Sequence, residues 1–402
     1  MVVGIIGGGA SGMAAALAAA ENPNIEVLLL ERQARVGRKL LATGNGRCNL
    51  SNANATVSSY HGETPSFVQY ALQKFDVSNT LRWFSDLGLY TVTEQSGRIY
   101  PYSDQANSVV DVLRLGLLKP NITVLCGAEV QRIKQDGQGF LLSCTDETYR
   151  CDKLIVACGG LAGTKLGGTM SGYKLLGKLG HKSTKLRPSL VQIKSSWPAL
   201  ASLKGVRANC SIQILRDEKV FAKSCGEIQF TEFGISGPVV FELSRDVCSA
   251  GGNWTAVLDM IPDWSNECLL QWLKVRRETE LSVQELLTGV LHNRLGRVLI
   301  QSADISMNKK CNELSDYELQ NICDCVKCFE LTLTEPMGMD SAQVTAGGVL
   351  TEQFDEETME SRLVPGLYAC GELLDIDGDC GGYNLQWAWS SGRLAGYSAG
   401  KE

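Results

Sequence analysis

The chain has 402 residues, of which 44% are hydrophobic and 20% are charged, so it can bury a sizeable core and form more than one domain. Its net charge is −6, its isoelectric point is near 5.4 and no basic cluster stands out, so nucleic acid is not expected as a partner. No apolar run approaches the roughly 20 residues that span a bilayer, and the N-terminus lacks the basic region of a signal peptide. We therefore expect a cytoplasmic protein without a membrane partner. Its 15 cysteines are not expected to form disulfides.

The first 31 residues predict a dinucleotide-binding unit. A short apolar strand over 2–6 is followed by the pattern G-x-G-x-x-G at Gly7, Gly9 and Gly12, then by an alanine-rich helix and a second apolar strand that ends at Glu31. In this arrangement the first glycine permits the tight turn, the second lets the backbone approach a pyrophosphate, and the third lets the helix pack on the sheet. Glu31 can accept hydrogen bonds from both ribose hydroxyls and would repel a 2′-phosphate, so FAD or NAD is expected rather than NADP.

Three later segments favour FAD. The loop over 32–52 interleaves Arg38, Lys39 and Arg47 with glycines, which suits a cofactor with extra phosphate and flavin contacts. The segment "KLIVACGG" (153–160) predicts another buried strand, and "GLYACGELLD" (366–375) predicts a strand that ends in Gly-Glu. There, Glu372 and Asp375 are the candidates to lie beside the ribityl chain.

A helix is predicted after Gly381 and Gly382, with its N-terminus aimed at the flavin, where partial positive charge would stabilise a reduced, anionic ring. The nucleotide-binding fold would then be split between the two ends of the sequence. The fold class is therefore α/β, a Rossmann-like split FAD-binding domain with an inserted substrate domain. The insert divides into a β-barrel-like part, which alternates polar and apolar residues, and a helical part with leucines at helical spacing.

Cysteines give two weaker signals. Cys323, Cys325 and Cys328 are compatible with a zinc or iron–sulfur site, but reduced cysteines on a helical segment are the favoured interpretation, and no metal is assigned. Cys48 has no C-x-x-C partner, so loop packing is expected there rather than disulfide-reductase chemistry.

Four segments together resemble one family: "GRKLLATGNGRCNLSN", "GEIQFTEFGISGPVV", "AQVTAGGVL" and "TMESRLVPGLYACGELLDIDGDCGGYNLQWAWSSG". The chain is similar over essentially its whole length to bacterial FAD-dependent oxidoreductases related to aminoacetone oxidase and to bile-acid 3-dehydro-Δ4,6-reductase. The resemblance implies non-covalent FAD and three parts: an FAD-binding domain at 1–187 and 338–402, a β-rich insert at 188–265 and a helical subdomain at 266–337. The expected cofactor residues are Gly7, Gly9, Ala10, Ser11, Gly12, Glu31, Arg32, Arg38, Lys39, Gly46, Arg47, Val130, Gly159, Gly371, Glu372, Asp375, Gly382, Asn384 and Leu385.

The expected chemistry is hydride transfer through flavin N5 to the C=C bond of an apolar enone or steroid-like substrate, with NAD(P)H docking transiently as the electron donor because only one dinucleotide fingerprint is found. Tyr383 is the candidate proton donor, or it packs over the flavin, and Asn384 would hold the ring or the substrate. Ser236, in "FGISGP", is expected to line the substrate site or to form a strand-to-helix turn, with Pro238 starting the helix.

The alternatives are an amine or aminoketone oxidase that releases peroxide, and a flavin-binding redox sensor or RNA-associated protein without turnover. The small-molecule substrate and the oligomeric state are left open.

Overall fold

The computed structural model describes residues 1–137 and 139–401 and divides them into two compact units. The first unit is Met1–Pro188 with Ala342–Glu402, and the second is Ser189–Ser341. The strands are β1 Val2–Ile6, β2 Glu26–Glu31, β3 Ser51–Asn52, β4 Tyr60–His61, β5 Thr91–Thr93, β6 Arg98–Pro101, β7 Ile122–Cys126, β8 Arg132–Asp136, β9 Gly139–Ser143, β10 Thr148–Cys151, β11 Lys153–Val156, β12 Arg187–Ser189, β13 Ile193–Ser195, β14 Arg207–Arg216, β15 Lys219–Phe230, β16 Gly234–Ser236, β17 Trp254–Asp259, β18 Phe329–Pro336, β19 Val344–Ala346, β20 Leu367–Ala369 and β21 Asp377–Gly378. The helices are α1 Ala10–Ala19, α2 Val68–Lys74, α3 Val77–Asp86, α4 Ala106–Gly116, α5 Ser171–Lys178, α6 Pro238–Ser249, α7 Asn266–Arg277, α8 Asn293–Ser302, α9 Asp316–Lys327 and α10 Tyr383–Ala399.

A parallel sheet with the strand order β20-β11-β1-β2-β7 organises the first unit. Its strands are short apolar runs, as expected for strands that are covered on both faces. Since β20 comes from residues 367–369 and β1 from residues 2–6, the two ends of the sequence contribute to one sheet. The expected split Rossmann-type fold is therefore confirmed.

Helix α10 is anchored in the core of this unit by two tryptophans. Trp387 and Trp389 are almost fully buried. Their indole N–H groups donate to the carbonyl oxygens of Gly371, at 3.1 Å, and Leu50, at 3.0 Å. Each large apolar ring is thus buried with its polar atom satisfied, which fixes the helix in position.

The second unit contains a closed antiparallel barrel with the order β13-β16-β15-β14-β17-β18. Alternation along β14 brings Cys210, Ile212 and Ile214 into the barrel interior, because successive side chains of a strand point to opposite faces. The predicted β-barrel-like insert is confirmed. The structure also confirms that Pro238 begins a helix, α6, directly after β16.

Helices α7, α8 and α9 form the helical part of the second unit. Helix α9 begins with a capping box, in which the Ser315 hydroxyl accepts from the Glu318 N–H at 3.3 Å and the Glu318 carboxylate accepts from the Ser315 N–H at 2.9 Å. Leu269 and Leu273 of α7 are buried in this core, as expected from their spacing. Among the described residues, no helix combines the length and the apolar composition needed to cross a membrane.

Candidate functional site

The turn between β1 and α1 combines close packing with open space. A Cβ atom on Gly7, where φ is +108°, would lie within 3.0 Å of the Ala157 backbone, and one on Gly12 would lie within 3.0 Å of the Gly7 carbonyl oxygen. A Cβ atom on Gly9 would meet nothing within 4 Å. Gly7 and Gly12 are therefore required by packing, whereas Gly9 leaves room at the N-terminus of α1, where free N–H groups favour an anion.

Glu31 lies at the end of β2 and is almost fully buried. Its carboxylate accepts from the N–H of Gly8, at 2.7 Å, and from the N–H of Gln33, at 2.7 Å. Two charge-assisted hydrogen bonds hold the carboxylate at the edge of the glycine turn. This position suits an acceptor for ribose hydroxyls beside a pyrophosphate.

Helices α1 and α10 run parallel in direct backbone contact. Cβ atoms on Gly392 and Gly396 would lie within 3.0 Å of the carbonyl oxygens of Ser11 and Ala15. Because the contacting positions increase together along both helices, the two N-termini point the same way. On the N-terminal side of this contact, α10 has eight more residues than α1. At 1.5 Å per residue, the two N-termini are therefore about 12 Å apart along the helix axis. An elongated cofactor with an anionic centre and a second electron-rich end fits two such helix ends.

The two carboxylates expected beside the ribityl chain, Glu372 and Asp375, are both held by hydrogen bonds within the first unit. Lys39 Nζ is 2.8 Å from Glu372 Oε2, while Glu372 Oε1 accepts from the Thr345 N–H at 2.9 Å. Asp375 is buried and accepts from the Glu63 N–H at 3.1 Å. Burial raises the pKa of the Asp375 carboxyl above its ordinary value, since the charged form is poorly solvated there.

Two buried polar atoms beside these residues have no hydrogen-bond partner within residues 1–137 and 139–401: Asn49 Oδ1 and the Tyr173 hydroxyl. Asn49 Oδ1 lies 2.8 Å from the point where a Cβ on Gly382 would sit, at the start of α10. The Tyr173 phenol is close enough to Glu372 and Asp375 for their charges to raise its pKa further, after burial itself. Unsatisfied buried polar groups are rare in native proteins, so each of the two calls for a partner. Bound FAD, which carries many polar atoms, is a group that would supply one at both points.

The turn that opens α10 is tightly braced. Gly382 has φ of +102°, and a Cβ there would lie within 3.0 Å of the Ser51 carbonyl oxygen. The Asn384 side-chain amide accepts from the Gly378 N–H at 2.8 Å and donates to the Gly378 carbonyl at 2.7 Å. The main-chain oxygen of Tyr383 accepts from the Tyr60 hydroxyl at 3.1 Å. Asn384 therefore holds its own turn in place, and the Tyr383 ring, which is half-buried, stands at the helix N-terminus.

Three arginines expected at the cofactor have protein partners. Arg47 pairs with Asp104 and Glu94, with its guanidinium 3.9 Å from the centre of the Tyr100 ring. Arg38 is exposed and donates to a glutamine side chain at 2.6 Å, and Arg32 donates to a loop carbonyl at 2.8 Å.

The other expected site residues divide between the two units. Gly46 and Gly159 have positive φ and open space where a Cβ would be. Val130 is buried and lines a cavity of about 240 Å³, and Leu385 packs against the core of the first unit. Ser236 is buried in the barrel of the second unit. Gly371, with φ of +73°, lies against the Ser11 side chain, close to Ala10 at the start of α1.

Sequence reasoning missed Asn49, Tyr173, Thr345 and His61. Asn49 lies within the loop "GNGRCNLSN", where no pattern marks it, and Tyr173 lies on α5, far in sequence from the glycine fingerprint. The signal for both is an unsatisfied buried atom, which only coordinates reveal. None of the cysteines in the described residues forms a disulfide, and the same residues contain no group of three or more His, Cys, Asp or Glu side chains arranged to hold a metal ion.

Taken together, the split parallel sheet, the glycine turn and the buried acid define a Rossmann-type FAD-binding fold of the flavoenzyme class, and the expected enzyme class of FAD-dependent oxidoreductases is confirmed. Residues 1–398 match the family described as HI0933-like protein Rossmann domain. The chain belongs to this family.

Two relatives resemble the chain over nearly their whole length. It is 39% identical to a 3-dehydro-bile acid delta(4,6)-reductase of Clostridium scindens, over 99% of this chain and 98% of the relative. It is 31% identical to a ribosomal RNA dihydrouridine synthase of Escherichia coli, over 96% and 95%. The expectation that nucleic acid is not a partner therefore stays a prediction, as does the cytoplasmic location.

Among solved structures, a 3-ketosteroid delta1-dehydrogenase from Sterolibacterium denitrificans aligns with a TM-score of 0.52 at 12% identity, over 99% of each chain. At that identity the likeness shows the fold alone.

Proposed function

We propose that the protein is an FAD-dependent reductase that saturates a C=C bond conjugated to a carbonyl group, with NAD(P)H as electron donor and an apolar enone as substrate. The names of the two relatives support this bond type. One acts on a delta(4,6) unsaturated 3-dehydro-bile acid, and the other is named for dihydrouridine, in which a C=C bond conjugated to a carbonyl of uracil is saturated. The two names thus share one reaction class on very different substrates.

The parallel pair of α1 and α10 carries the cofactor assignment. We propose that Glu31 binds the adenosine ribose, and that the N-terminus of α1 at Gly9 and Ser11 binds the pyrophosphate. Lys39, Glu372 and Asp375 would hold the ribityl chain. Bound FAD would supply hydride transfer between the nicotinamide and the substrate.

At the other end of the cofactor, we propose that the N-terminus of α10 and Asn49 Oδ1 contact the polar edge of the flavin. We propose a positioning role for Asn384, because its amide is engaged with the backbone of Gly378. Tyr383 would contact the substrate. Ser236 lies in the second unit, and a substrate contact of its hydroxyl stays a prediction.

The experiment is anaerobic rapid mixing of the FAD-loaded protein with NADH and with NADPH, followed by mixing of the reduced protein with a 3-oxo-Δ4,6 bile acid. We expect one nicotinamide to bleach the flavin and the unsaturated bile acid to restore its colour. The matching saturated 3-oxo bile acid, which offers no C=C bond, should leave the flavin reduced. Failure of both nicotinamides, or equal reoxidation by the saturated control, would refute the proposal.

The relative named as a dihydrouridine synthase favours a second candidate, reduction of uridine in ribosomal RNA. The net charge of −6 disfavours a polyanionic substrate, because affinity for RNA depends on neutralising phosphates. Incubation with ribosomal RNA lacking dihydrouridine, followed by nucleoside mass spectrometry, distinguishes the candidates. Appearance of dihydrouridine, without reduction of the bile acid, would replace the first proposal by the second. Peroxide release with aminoacetone in air would instead support the oxidase alternative.

A further inference from the structure

We propose that His61, held by Asp379, is the proton donor that completes the reduction, an inference that rests on the proposed function. Saturating a C=C bond requires a proton as well as a hydride, and neither His61 nor Asp379 belongs to the cofactor residues described above. Both lie in the first unit, in the segments that brace the start of α10.

The backbone fixes this pair to the turn before α10. Strand β4 is antiparallel to β21, and His61 Nε2 lies 2.7 Å from Asp379 Oδ1. The Asp379 N–H donates to the Ser59 carbonyl at 3.0 Å, and its carbonyl accepts from the Asn384 amide at 3.3 Å. Asp379 is therefore held by Ser59 on one side and by Asn384 on the other, and it links the imidazole to the turn that carries Tyr383.

Two other donors at this turn, the Tyr60 hydroxyl and the Asn384 amide, are committed elsewhere. The Tyr60 hydroxyl donates to the Tyr383 carbonyl, and burial raises the Tyr60 pKa far above its ordinary value. The Asn384 amide is engaged with the backbone on both sides. In contrast, the side chains of His61 and Asp379 are 34% and 42% exposed, so the imidazole can be reprotonated from solvent.

The arrangement also leaves the second nitrogen of the His61 ring available. Within the described part of the chain, the second ring nitrogen, Nδ1, meets no hydrogen-bond partner, so it is free to face a substrate. A carboxylate that accepts a hydrogen bond from one imidazole nitrogen orients the ring, so that the opposite nitrogen can point towards a substrate.

The step balances as follows. Hydride, whose two electrons derive from NAD(P)H, adds to the β-carbon, and the C=C electron pair moves towards the carbonyl as an enolate. The Nδ1–H bond of the His61 imidazolium breaks as the new C–H bond forms at the α-carbon. The neutral imidazole then recovers a proton from water.

A purely structural pair would give a different result from a proton donor. A side-chain pair this exposed contributes little to stability, so His61→Asn is expected to fold and to bind FAD as the wild type does. The chain has three histidines, and His292, which is exposed in the second unit, supplies the matched control His292→Asn.

The test separates the two half-reactions by anaerobic rapid mixing. We expect His61→Asn to be reduced by NAD(P)H at the wild-type rate but reoxidised by the 3-oxo-Δ4,6 bile acid about 100-fold more slowly, the lower range for loss of a general acid. His292→Asn should match the wild type in both. A second readout is carbethoxylation of histidine with diethyl pyrocarbonate, located by mass spectrometry. The saturated bile-acid product should protect His61 and leave His292 reactive.

Reoxidation of His61→Asn at the wild-type rate, or modification of His61 without protection, would overturn the inference while leaving the proposed function intact. Wild-type protein that fails to reduce the bile acid would overturn the proposed function and this inference with it. A slow variant whose FAD affinity also falls would assign His61 a structural role instead, and would likewise overturn the inference.

Discussion

Adding one methyl group between α1 and α10 tests the helix pair on which the cofactor assignment depends. In Gly396→Ala, the new Cβ would lie within 3.0 Å of the oxygen, carbonyl carbon and Cα of Ala15, all backbone atoms. Overpacking of this kind costs about 1–3 kcal/mol, and the upper part of the range applies because backbone cannot rotate away. Alanine regains about 0.5–1 kcal/mol through its helix propensity. We expect a net loss of about 1–2 kcal/mol.

The matched control is Gly177→Ala, on an exposed position of α5, where a Cβ would meet nothing within 4 Å. That variant should be unchanged or more stable by less than about 1 kcal/mol. Thermal unfolding followed by circular dichroism, without added FAD, measures both. For a domain of this size, the loss predicted for Gly396→Ala corresponds to a melting temperature about 2–8 °C lower. Because the helix ends would shift, FAD titration should also show weaker binding. If Gly396→Ala is as stable as Gly177→Ala, the close contact between the helices is refuted.

Three further variants test the site and its pH dependence. Glu31→Gln should weaken FAD binding about 10-fold or more in a fluorescence titration, because an amide carries no charge and has only one acceptor oxygen for the two N–H groups. The control is Glu26→Gln at an exposed position of the same strand, which should leave FAD binding unchanged. Tyr173→Phe should fold normally but bind FAD roughly 10-fold more weakly. The control is Tyr90→Phe at an exposed position. Equal FAD affinities of the two variants would mean that the buried Tyr173 hydroxyl does not contact the cofactor. Burial lowers the pKa of His181 below its ordinary value of about 6.5, so the neutral form stabilises the fold above that pH, and stability falls as the pH drops and the unfolded state takes up the proton. Urea unfolding between pH 7.5 and about 5.5 should therefore show a smaller loss for His181→Gln than for the wild type, and parallel curves would contradict this account.

The sequence predicted the fold well where local pattern and spacing carry the information. The glycine turn, Glu31 and the alternating strands of the barrel each have a period or an offset that can be read along the chain. The return of the C-terminal segment to the first sheet could be predicted because, in flavoproteins, a short apolar strand that ends in Gly-Glu places a carboxylate beside the ribityl chain. These features depend on residues close in sequence, or on a recognised motif.

The rest depends on contacts between distant residues. Arg47 stays a predicted cofactor residue, but its pairing with Asp104 and Glu94 could not be predicted, because no local signal shows that these acids lie nearby. The hydrogen bonds between the Asn384 amide and the backbone of Gly378 depend on the exact path of the turn, which residue types alone do not specify. The pairing of His61 with Asp379 could not be predicted either, because the two residues are 318 positions apart in the sequence.

The contact between α1 and α10 also sets the order in which the molecule can be completed. Helix α10 is translated about 370 residues after α1, which takes about 20–70 s at ordinary rates of synthesis. Until then the glycine turn has no second helix beside it, and the nascent chain presents only the adenosine half of its cradle. A polypeptide interrupted within the inserted unit would therefore be colourless, so the yellow colour of the product reports on the integrity of the chain as well as on cofactor supply.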